Sequence, residues 1–417
     1  PKGVENIHRA LANFICSMMK TPGVSAEDRR LAVTTLSFDI SILELFAPLA
    51  AGGNVIIASA EEAADGEALL SLMNRHNPTI LQATPATWRM LLDHGLAGAQ
   101  GLKALCGGEA LTPALAAELL PRVGALWNMY GPTETTVWST CKRIVSSDSI
   151  TIGGPIDATA LYVVGSGETL MPDGVPGELW IGGEGVAIGY LNRPELTAER
   201  FRADPFGGAG RIYRTGDLVR RRPDGDIEHL GRIDSQVKLR GFRIELGEIE
   251  AALGRHEAVA RAVSAVKKDA SGESVLVAYV IYRDGESATG SDLRRFLRQT
   301  LPGYMLPQHF VEIARVPLTG SGKVDRAALP DPVAGPVRKR ERIAPRSDAE
   351  KLIASLWSNV LNVADICVAD NFFELGGNSL QAAQMAARYR EQTGVRLAPR
   401  SIIFETLEQL AASVVQG

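Results

Sequence analysis

The 417-residue chain has little of what marks many functional classes at a glance. Positive charge is not in excess: 44 Lys plus Arg stand against 48 Asp plus Glu, a formal charge of −4, so nothing is spare to neutralise a phosphate backbone. Nucleic acid is therefore not an expected partner. No apolar run approaches the roughly 18 residues that span a bilayer, and the N-terminus lacks the charged-then-apolar pattern of a signal peptide. No membrane partner is expected, and a cytoplasmic setting follows. Cys16, Cys106, Cys141 and Cys367 lie far apart with no Cys-x-x-Cys pair, and the six histidines form no His-Glu-x-x-His. That argues against a zinc site or a disulfide framework and for reduced, mostly buried thiols. No internal repeat recurs at a fixed period, and Gly182, Gly183, Gly185 and Gly189 lack dinucleotide-fingerprint spacing. What remains, at 45% hydrophobic and 22% charged, is an ordinary globular chain. At about 150 residues per domain it has room for two or three domains.

The texture changes along the chain. Over 1–150, Ile7, Leu11, Phe14 and Met18 recur at helical spacing, while Gly53 to Ala58 and Thr79 to Gln82 are apolar stretches short enough for buried strands. This is an alternating α/β pattern. Over 151–233, short β-type runs at Leu161 to Val164 and Glu178 to Ile181 alternate with Gly- and Pro-rich turns, which predicts a small, strongly curved β unit. From 234 to 330 the pattern is α+β. Leu246, Ile249 and Leu253 line a helix, Val275, Val277, Tyr279 and Ile281 alternate as a strand, and Ser291 is placed to cap a second helix. Residues 331–346 hold several prolines around Arg338-Lys339-Arg340-Glu341-Arg342 with almost nothing to bury, and read as a linker. Helical periodicity restarts at 347. Leu352, Leu356, Val360 and Leu361 form one stripe, Leu380, Ala383 and Ala387 a second, and Leu407 with Leu410 belong to a third, which together predict a small bundle over 347–417.

Several short runs carry groups of the kind used on nucleotides. In Asn128-Met129-Tyr130-Gly131-Pro132-Thr133-Glu134 an aromatic ring beside a Gly-Pro turn offers a stacking face. Thr133 and Glu134 add a hydroxyl and a carboxylate suited to phosphate and Mg²⁺. Read alone, the run is equally a tight turn. Further on stand Tyr213-Arg214-Thr215-Gly216-Asp217-Leu218, then Gly231-Arg232-Ile233-Asp234-Ser235-Gln236-Val237-Lys238 leading into Arg240-Gly241-Phe242-Arg243-Ile244-Glu245. The last are Leu301-Pro302-Gly303-Tyr304-Met305-Leu306-Pro307 and Gly322-Lys323-Val324-Asp325-Arg326. In this order they resemble the adenylate-forming superfamily, and within it the adenylation domains of nonribosomal peptide synthetases, over residues 1–330.

That resemblance implies a fold: the C-terminal part of an adenylate-forming core (α/β over 1–150, small β-barrel over 151–233), then a mobile α+β subdomain over 234–330. It also implies roles. Tyr130 would stack on adenine, Asp217 would take the ribose hydroxyls and Arg232 would sit near the ribose and phosphates. Gly108 and Thr133 would lie at ATP, and Glu134 would hold Mg²⁺. Lys323 would bridge the substrate carboxylate and the ribose, its charge set where negative charge builds in the reaction. Asp234 matches the hinge about which the subdomain turns, bringing either Lys323 or the loop around Gly241 to the site. Pro1-Lys2-Gly3-Val4 looks like the end of the family's Ser/Thr/Gly-rich phosphate loop, whose Gly- and Ser-rich half is absent. The expectation is a piece of a longer protein, or one of two complementary chains, adenylating poorly by itself.

Phe38-Asp39-Ile40-Ser41 matches the motif whose Asp holds a substrate α-ammonium. A fatty acid has no use for a buried carboxylate there, since an unpaired charge in an apolar pocket is costly. The same alignment gives the rest of the amino-acid pocket as Ile40, Leu43, Gln82, Leu105, Gly107, Met129, Val137 and Trp138, closed by Lys323. Apart from Asp39 and Lys323 the lining is neutral, and Trp138, Met129, Leu105 and Leu43 supply bulk, so glycine is the expected substrate and alanine the runner-up.

Asp370-Asn371-Phe372-Phe373-Glu374-Leu375-Gly376-Gly377-Asn378-Ser379-Leu380 reads locally as a Gly-Gly stop followed by a helix cap. After an adenylation domain and a linker it resembles a peptidyl carrier, an all-α four-helix bundle with Ser379 as the 4′-phosphopantetheine site. The N–H groups and dipole of a helix N-terminus suit the phosphodiester. The implied partners are an amino acid, a phosphopantetheinyl transferase, condensation or thioesterase domains of the same assembly line, and a small activator protein. Two other readings stay open: an acyl-CoA synthetase-like adenylating enzyme, disfavoured by Asp39 and the carrier, and a non-catalytic carrier and docking fragment.

Overall fold

The computed structural model describes residues 2–417 except 209, 234–235, 240–241, 269–273, 319–323, 333–342, 362, 364–365, 369, 373–374, 376–378, 396, 398–400, 403–404 and 416–417. The chain divides into two compact units, Pro1–Phe242 and Arg243–Gly417.

In the first unit the short apolar runs become strands of one sheet: β1 (Arg29–Ala32), β2 (Asn54–Ile57), β3 (Ile80–Ala83), β4 (Ala99–Gly107), β5 (Val123–Tyr130), β6 (Thr140–Ile144) and β7 (Gly154–Pro155). Their order is β2-β1-β3-β4-β5-β6-β7. The first five are parallel and the last two join antiparallel. Strand alternation sorts the side chains. Leu81, Ala104 and Cys106 face one apolar cluster with Leu69, Trp88, Leu91 and Leu115. Ile80, Leu105 and Met129 face the other with Phe14, Met18 and Leu43. The helix expected from the Ile7 periodicity is His8–Met18, and it covers this second face together with Ser41–Ala51. Thr84 and Thr112 cap the helices that follow β3 and β4, each with proline in the first turn.

The 151–233 segment is β-structure: β8 (Thr159–Val164), β9 (Gly177–Gly183), β10 (Phe201–Ala203), β11 (Arg211–Arg221) and β12 (Ile227–Arg232). The order is β10-β11-β9-β8, with β12 also on β11. The β11–β9 register shifts between Arg214 and Leu218, a bulge at Thr215-Gly216-Asp217 where Gly216 takes φ 73°. Bulges of this kind re-aim a side chain.

The second unit opens with the helix Leu246–Leu253 and a three-stranded sheet of β15 (Val259–Lys268), β16 (Ser274–Tyr282) and β17 (His309–Glu312), preceded in the chain by β13 (Gln236–Leu239) and β14 (Phe242–Glu245). The following helix is Gly290–Leu297, and its cap is Thr289 rather than Ser291. The Thr289 hydroxyl accepts from the Asp292 N–H at 3.1 Å while Asp292 accepts from the Thr289 N–H at 3.2 Å. This reciprocal box satisfies two helix-end donors where a cap at Ser291 would leave Asp292 unused. Further on, helices Asp348–Leu361, Ser379–Thr393 and Leu407–Val415 share a core of Ile353, Leu356, Trp357, Phe372, Met385, Tyr389 and Leu410. The side chains of Leu380, Ala383 and Ala387 are outside the described set; in that helix Ala382, Met385 and Tyr389 are buried. Among the described residues no helix is long and apolar enough to cross a membrane.

Candidate active site

A parallel sheet leaves the C-terminal ends of its strands open to a ligand crevice, and the pocket residues converge there. Asp39 lies in the loop after β1, Leu43 on the helix Ser41–Ala51, Gln82 in β3, Leu105 and Gly107 in β4, and Met129 in β5. Register places Gln82 beside Leu105 and Gly107 beside Met129. Ile40, Leu43, Leu105, Met129, Val137 and Trp138 are all buried in one cluster, while Asp39 is half-buried. The Trp138 indole N–H donates to Gln82 Oε1 at 2.8 Å. A Cβ on Gly107 would lie 2.6 Å from Trp138 Cη2 and 2.9 Å from the Met129 carbonyl oxygen, so the indole fills the space a side chain would take. A cavity of about 200 Å³ is lined by Ile40, Gln82 and Gly107 together with Val33, Thr34 and Phe38.

Gln82 is oriented by a residue that the pocket motif does not include. Glu44 is fully buried; its Oε1 accepts from the Thr34 hydroxyl at 2.7 Å and from Gln82 Nε2 at 3.3 Å. Its Oε2 accepts from the Val33 and Thr34 N–H groups, both at 2.9 Å. Burial pushes its carboxyl above the usual range, opposed by the charge of Arg30 and by these hydrogen bonds. The one signal in the sequence is a carboxylate on an otherwise apolar helix.

The residues expected at the nucleotide also meet. Tyr130 OH donates to Asp217 Oδ2 at 2.6 Å, and Arg232 donates to Asp217 Oδ1 at 2.9 Å and to the Thr215 carbonyl at 3.0 Å. The antiparallel register sets Asp217 beside Arg232. His229 Nε2 lies 3.2 Å from Asp217 Oδ1 and its ring is 6.0 Å from that of Tyr130, a neighbour unmarked by any motif. Burial, then the Asp217 charge, drive the Tyr130 phenol well above its ordinary pKa, so it stays a donor. Gly108, just past β4, takes φ 84°, which an L side chain adopts only with strain.

Residues 131–139 tie the two clusters together. Thr133 Oγ1 donates to Asp39 Oδ2 at 2.5 Å, so a hydroxyl expected at the phosphates touches the carboxylate expected at the ammonium. Glu134 is buried and accepts from Tyr190 OH at 2.6 Å. Burial, then the Glu134 charge, keep that phenol protonated. Thr136 and Val137, both β-branched, have φ of 62° and 68°. Left-handed backbone at such residues costs about 1–3 kcal/mol each, held by surrounding contacts. For Mg²⁺ the donor set fits. Among the described residues no group of three or more His, Cys, Asp or Glu could form a protein cage, and Mg²⁺ is commonly bound by one or two carboxylates plus substrate phosphates. Glu134, whose Oε1 accepts from Tyr190, is the carboxylate that would hold the ion there.

Lys323, Asp234 and Gly241 lie outside the described residues. Leu318 and Val324 pair as an isolated β-bridge. Ser379 is the first residue of its helix, and its side chain is outside the described set. None of the four cysteines is in a disulfide; burial raises Cys141 to about 12, which leaves it inert at neutral pH.

This geometry defines a nucleotide-binding α/β enzyme core joined to a small helical domain. Residues 1–191 match the AMP-binding enzyme family, 248–323 the AMP-binding enzyme C-terminal domain, and 351–414 the phosphopantetheine attachment site. The chain belongs to the adenylate-forming AMP-binding enzymes, as an adenylation–carrier segment of the nonribosomal peptide synthetase type. Over 99% of its length it is 44% identical to a dimodular nonribosomal peptide synthase of Bacillus subtilis (strain 168), of which it spans 17%. A holo four-domain nonribosomal peptide synthetase solved with AMP and glycine is 44% identical, with a TM-score of 0.56 over 100% of this chain and 32% of that one. A synthetase protein of adenylation and carrier domains, solved with a vinylsulfonamide inhibitor, is 27% identical, with a TM-score of 0.75 over 100% of this chain and 70% of that one.

Proposed function

We propose that the protein to which this chain belongs activates glycine in two steps in the cytoplasm. The glycine carboxylate attacks the α-phosphorus of ATP and pyrophosphate leaves, forming glycyl-AMP. Ser379 would carry a phosphopantetheine, whose thiol would take the glycyl group as a thioester, giving up its proton as AMP leaves. Glu134 would hold Mg²⁺, which would supply positive charge against the nucleotide phosphates. Asp39 receives the α-ammonium, with Thr133 orienting its carboxylate. Tyr130 and Arg232 hold Asp217 for the ribose, and Gly108 permits close approach of the chain to the nucleotide. Lys323 supplies positive charge at the reacting carboxylate, Asp234 turns the subdomain 234–330, and the loop around Gly241 serves the second step. The carrier is 347–417, after a linker at 331–346. A phosphopantetheinyl transferase, condensation or thioesterase domains and a small activator protein are the partners.

The observation that carries glycine is the wall formed by Trp138, fixed by Gln82 and set where a side chain at Gly107 would lie, which closes that side of the pocket to a substrate side chain. Glycine in the solved structure of a relative supports the same choice. ATP–pyrophosphate exchange with a panel of amino acids, run on the intact protein, tests it. Exchange should be highest with glycine and fall with alanine; preference for a large or charged amino acid refutes the proposal. Ser379→Ala should abolish loading of radiolabelled glycine and leave exchange intact.

A further inference from the structure

We propose that Asn6 is a positioning residue of this site, clamping the strained turn that carries both its phosphate-facing and its amino-acid-facing groups. The proposal rests on the glycine-activation reading for its catalytic consequence and on geometry alone for the clamp. Asn6 Nδ2 donates to the Thr133 carbonyl at 3.1 Å, and Asn6 Oδ1 accepts from the Thr136 hydroxyl at 3.0 Å. The two bonds span the turn from Thr133 to Thr136, the stretch leading into the left-handed pair Thr136 and Val137. The Gly185 carbonyl lies 2.8 Å from the same hydroxyl, whose one proton is shared between it and Asn6 Oδ1.

The backbone around Asn6 is itself fixed, to residues 188–191. The Glu5 N–H donates to the Gly189 carbonyl at 3.0 Å, the Ile188 N–H to the Glu5 carbonyl at 2.9 Å and the Leu191 N–H to the Gly3 carbonyl at 2.8 Å. Val4 and Tyr190 pair as a β-bridge, and the hydroxyl of that Tyr190 is the one bonded to Glu134. Strained backbone persists only where its surroundings over-determine it. Asn6 supplies a donor and an acceptor to it from one amide, a combination that Asp or Ala cannot reproduce. Because Asn6 is exposed, replacing it opens no cavity.

The test uses the intact protein with Asn6→Ala and Asn6→Asp, the latter keeping the acceptor alone. Amide hydrogen exchange at Thr136 and Ser139, whose N–H groups donate to the Thr133 and Tyr130 carbonyls, should speed up roughly tenfold in Asn6→Ala. Asn6→Asp should fall between it and wild type. In pyrophosphate exchange the KM for ATP should rise and the preference for glycine over alanine should fall several-fold, with the melting temperature unchanged. Unaltered exchange across 131–139 overturns the clamp. Faster hydrogen exchange with an unmoved glycine-to-alanine ratio overturns the positioning role. Should wild type activate no amino acid, the functional reading fails and hydrogen exchange alone decides the clamp.

Discussion

Gly107→Ala probes the amino-acid pocket where it is tightest. The new methyl would sit 2.6 Å from Trp138 Cη2, 3.0 Å from Cζ2 and 2.9 Å from the Met129 carbonyl oxygen. The carbonyl belongs to the neighbouring strand and cannot retreat without breaking sheet pairing, so the indole must yield by about 0.8 Å to reach ordinary contact. The indole is 1% exposed and tethered to Gln82 Oε1 at 2.8 Å. A shift of that size away from Gln82 stretches the tether past hydrogen-bond range. Overpacking costs about 1–3 kcal/mol, and leaving the indole N–H unsatisfied in the core costs about 1–3 kcal/mol more. Since the two partly relieve each other, the expected loss is about 2–4 kcal/mol. Urea unfolding followed by tryptophan fluorescence should show the lower midpoint, near-UV circular dichroism the moved indole, and pyrophosphate exchange a loss of glycine-dependent turnover. If Gly107→Ala matches wild type in all three, the indole does not wall the pocket in the way described.

Two further perturbations have signs set by the structure. Tyr130→Phe removes a 2.6 Å bond to the buried Asp217 carboxylate, worth about 1.5–3 kcal/mol for a charged acceptor. The urea midpoint should fall and ATP binding by calorimetry should weaken; unchanged values for both would mean that Arg232 and His229 hold Asp217 unaided. Acid stability turns on Asp28, whose carboxyl burial pushes up, but which bonds from Thr79 and Ser25 and the charge of Lys103 bring below its ordinary value. The unfolded carboxyl titrates near about 3.9. Stability from this group is therefore full above that pH and is lost as pH falls through the lower folded value. Thr79→Val should flatten the acid limb of the pH–stability curve, and an unaltered limb would refute the assignment.

Local elements were largely legible because periodicity is a local property. The Phe14 stripe, the 53–58 and 79–82 runs and the Val275–Ile281 alternation became the helix His8–Met18 and the strands β2, β3 and β16. The cap at Thr289 was missed because Thr-x-x-Asp and Ser-Asp compete within three residues, and only the reciprocal bonds decide between them. Asp39, Tyr130, Thr133, Asp217 and Arg232 could be singled out because they belong to ordered motifs, and the structure brings Tyr130 and Arg232 to Asp217 and Thr133 to Asp39. Glu44, His229, Tyr190 and Asn6 belong to none, and only their partners in the fold mark them: Asn6 and Thr133 are 127 residues apart, and Tyr190 and Glu134 are 56.

The sequence by itself therefore determined the family, the order of its parts and the chemical inventory of the site, since motif order and residue type do not depend on how the chain packs. The tertiary structure decided which inventory groups touch: that Trp138 is tethered to Gln82 against Gly107, that Tyr130 spends its hydroxyl on Asp217, and that Asn6 braces the 131–139 turn. These are distances of about 3 Å between residues remote in sequence. They follow from sheet register and from the bulge at Thr215-Gly216-Asp217, where a shift of one residue reverses which face a side chain points to.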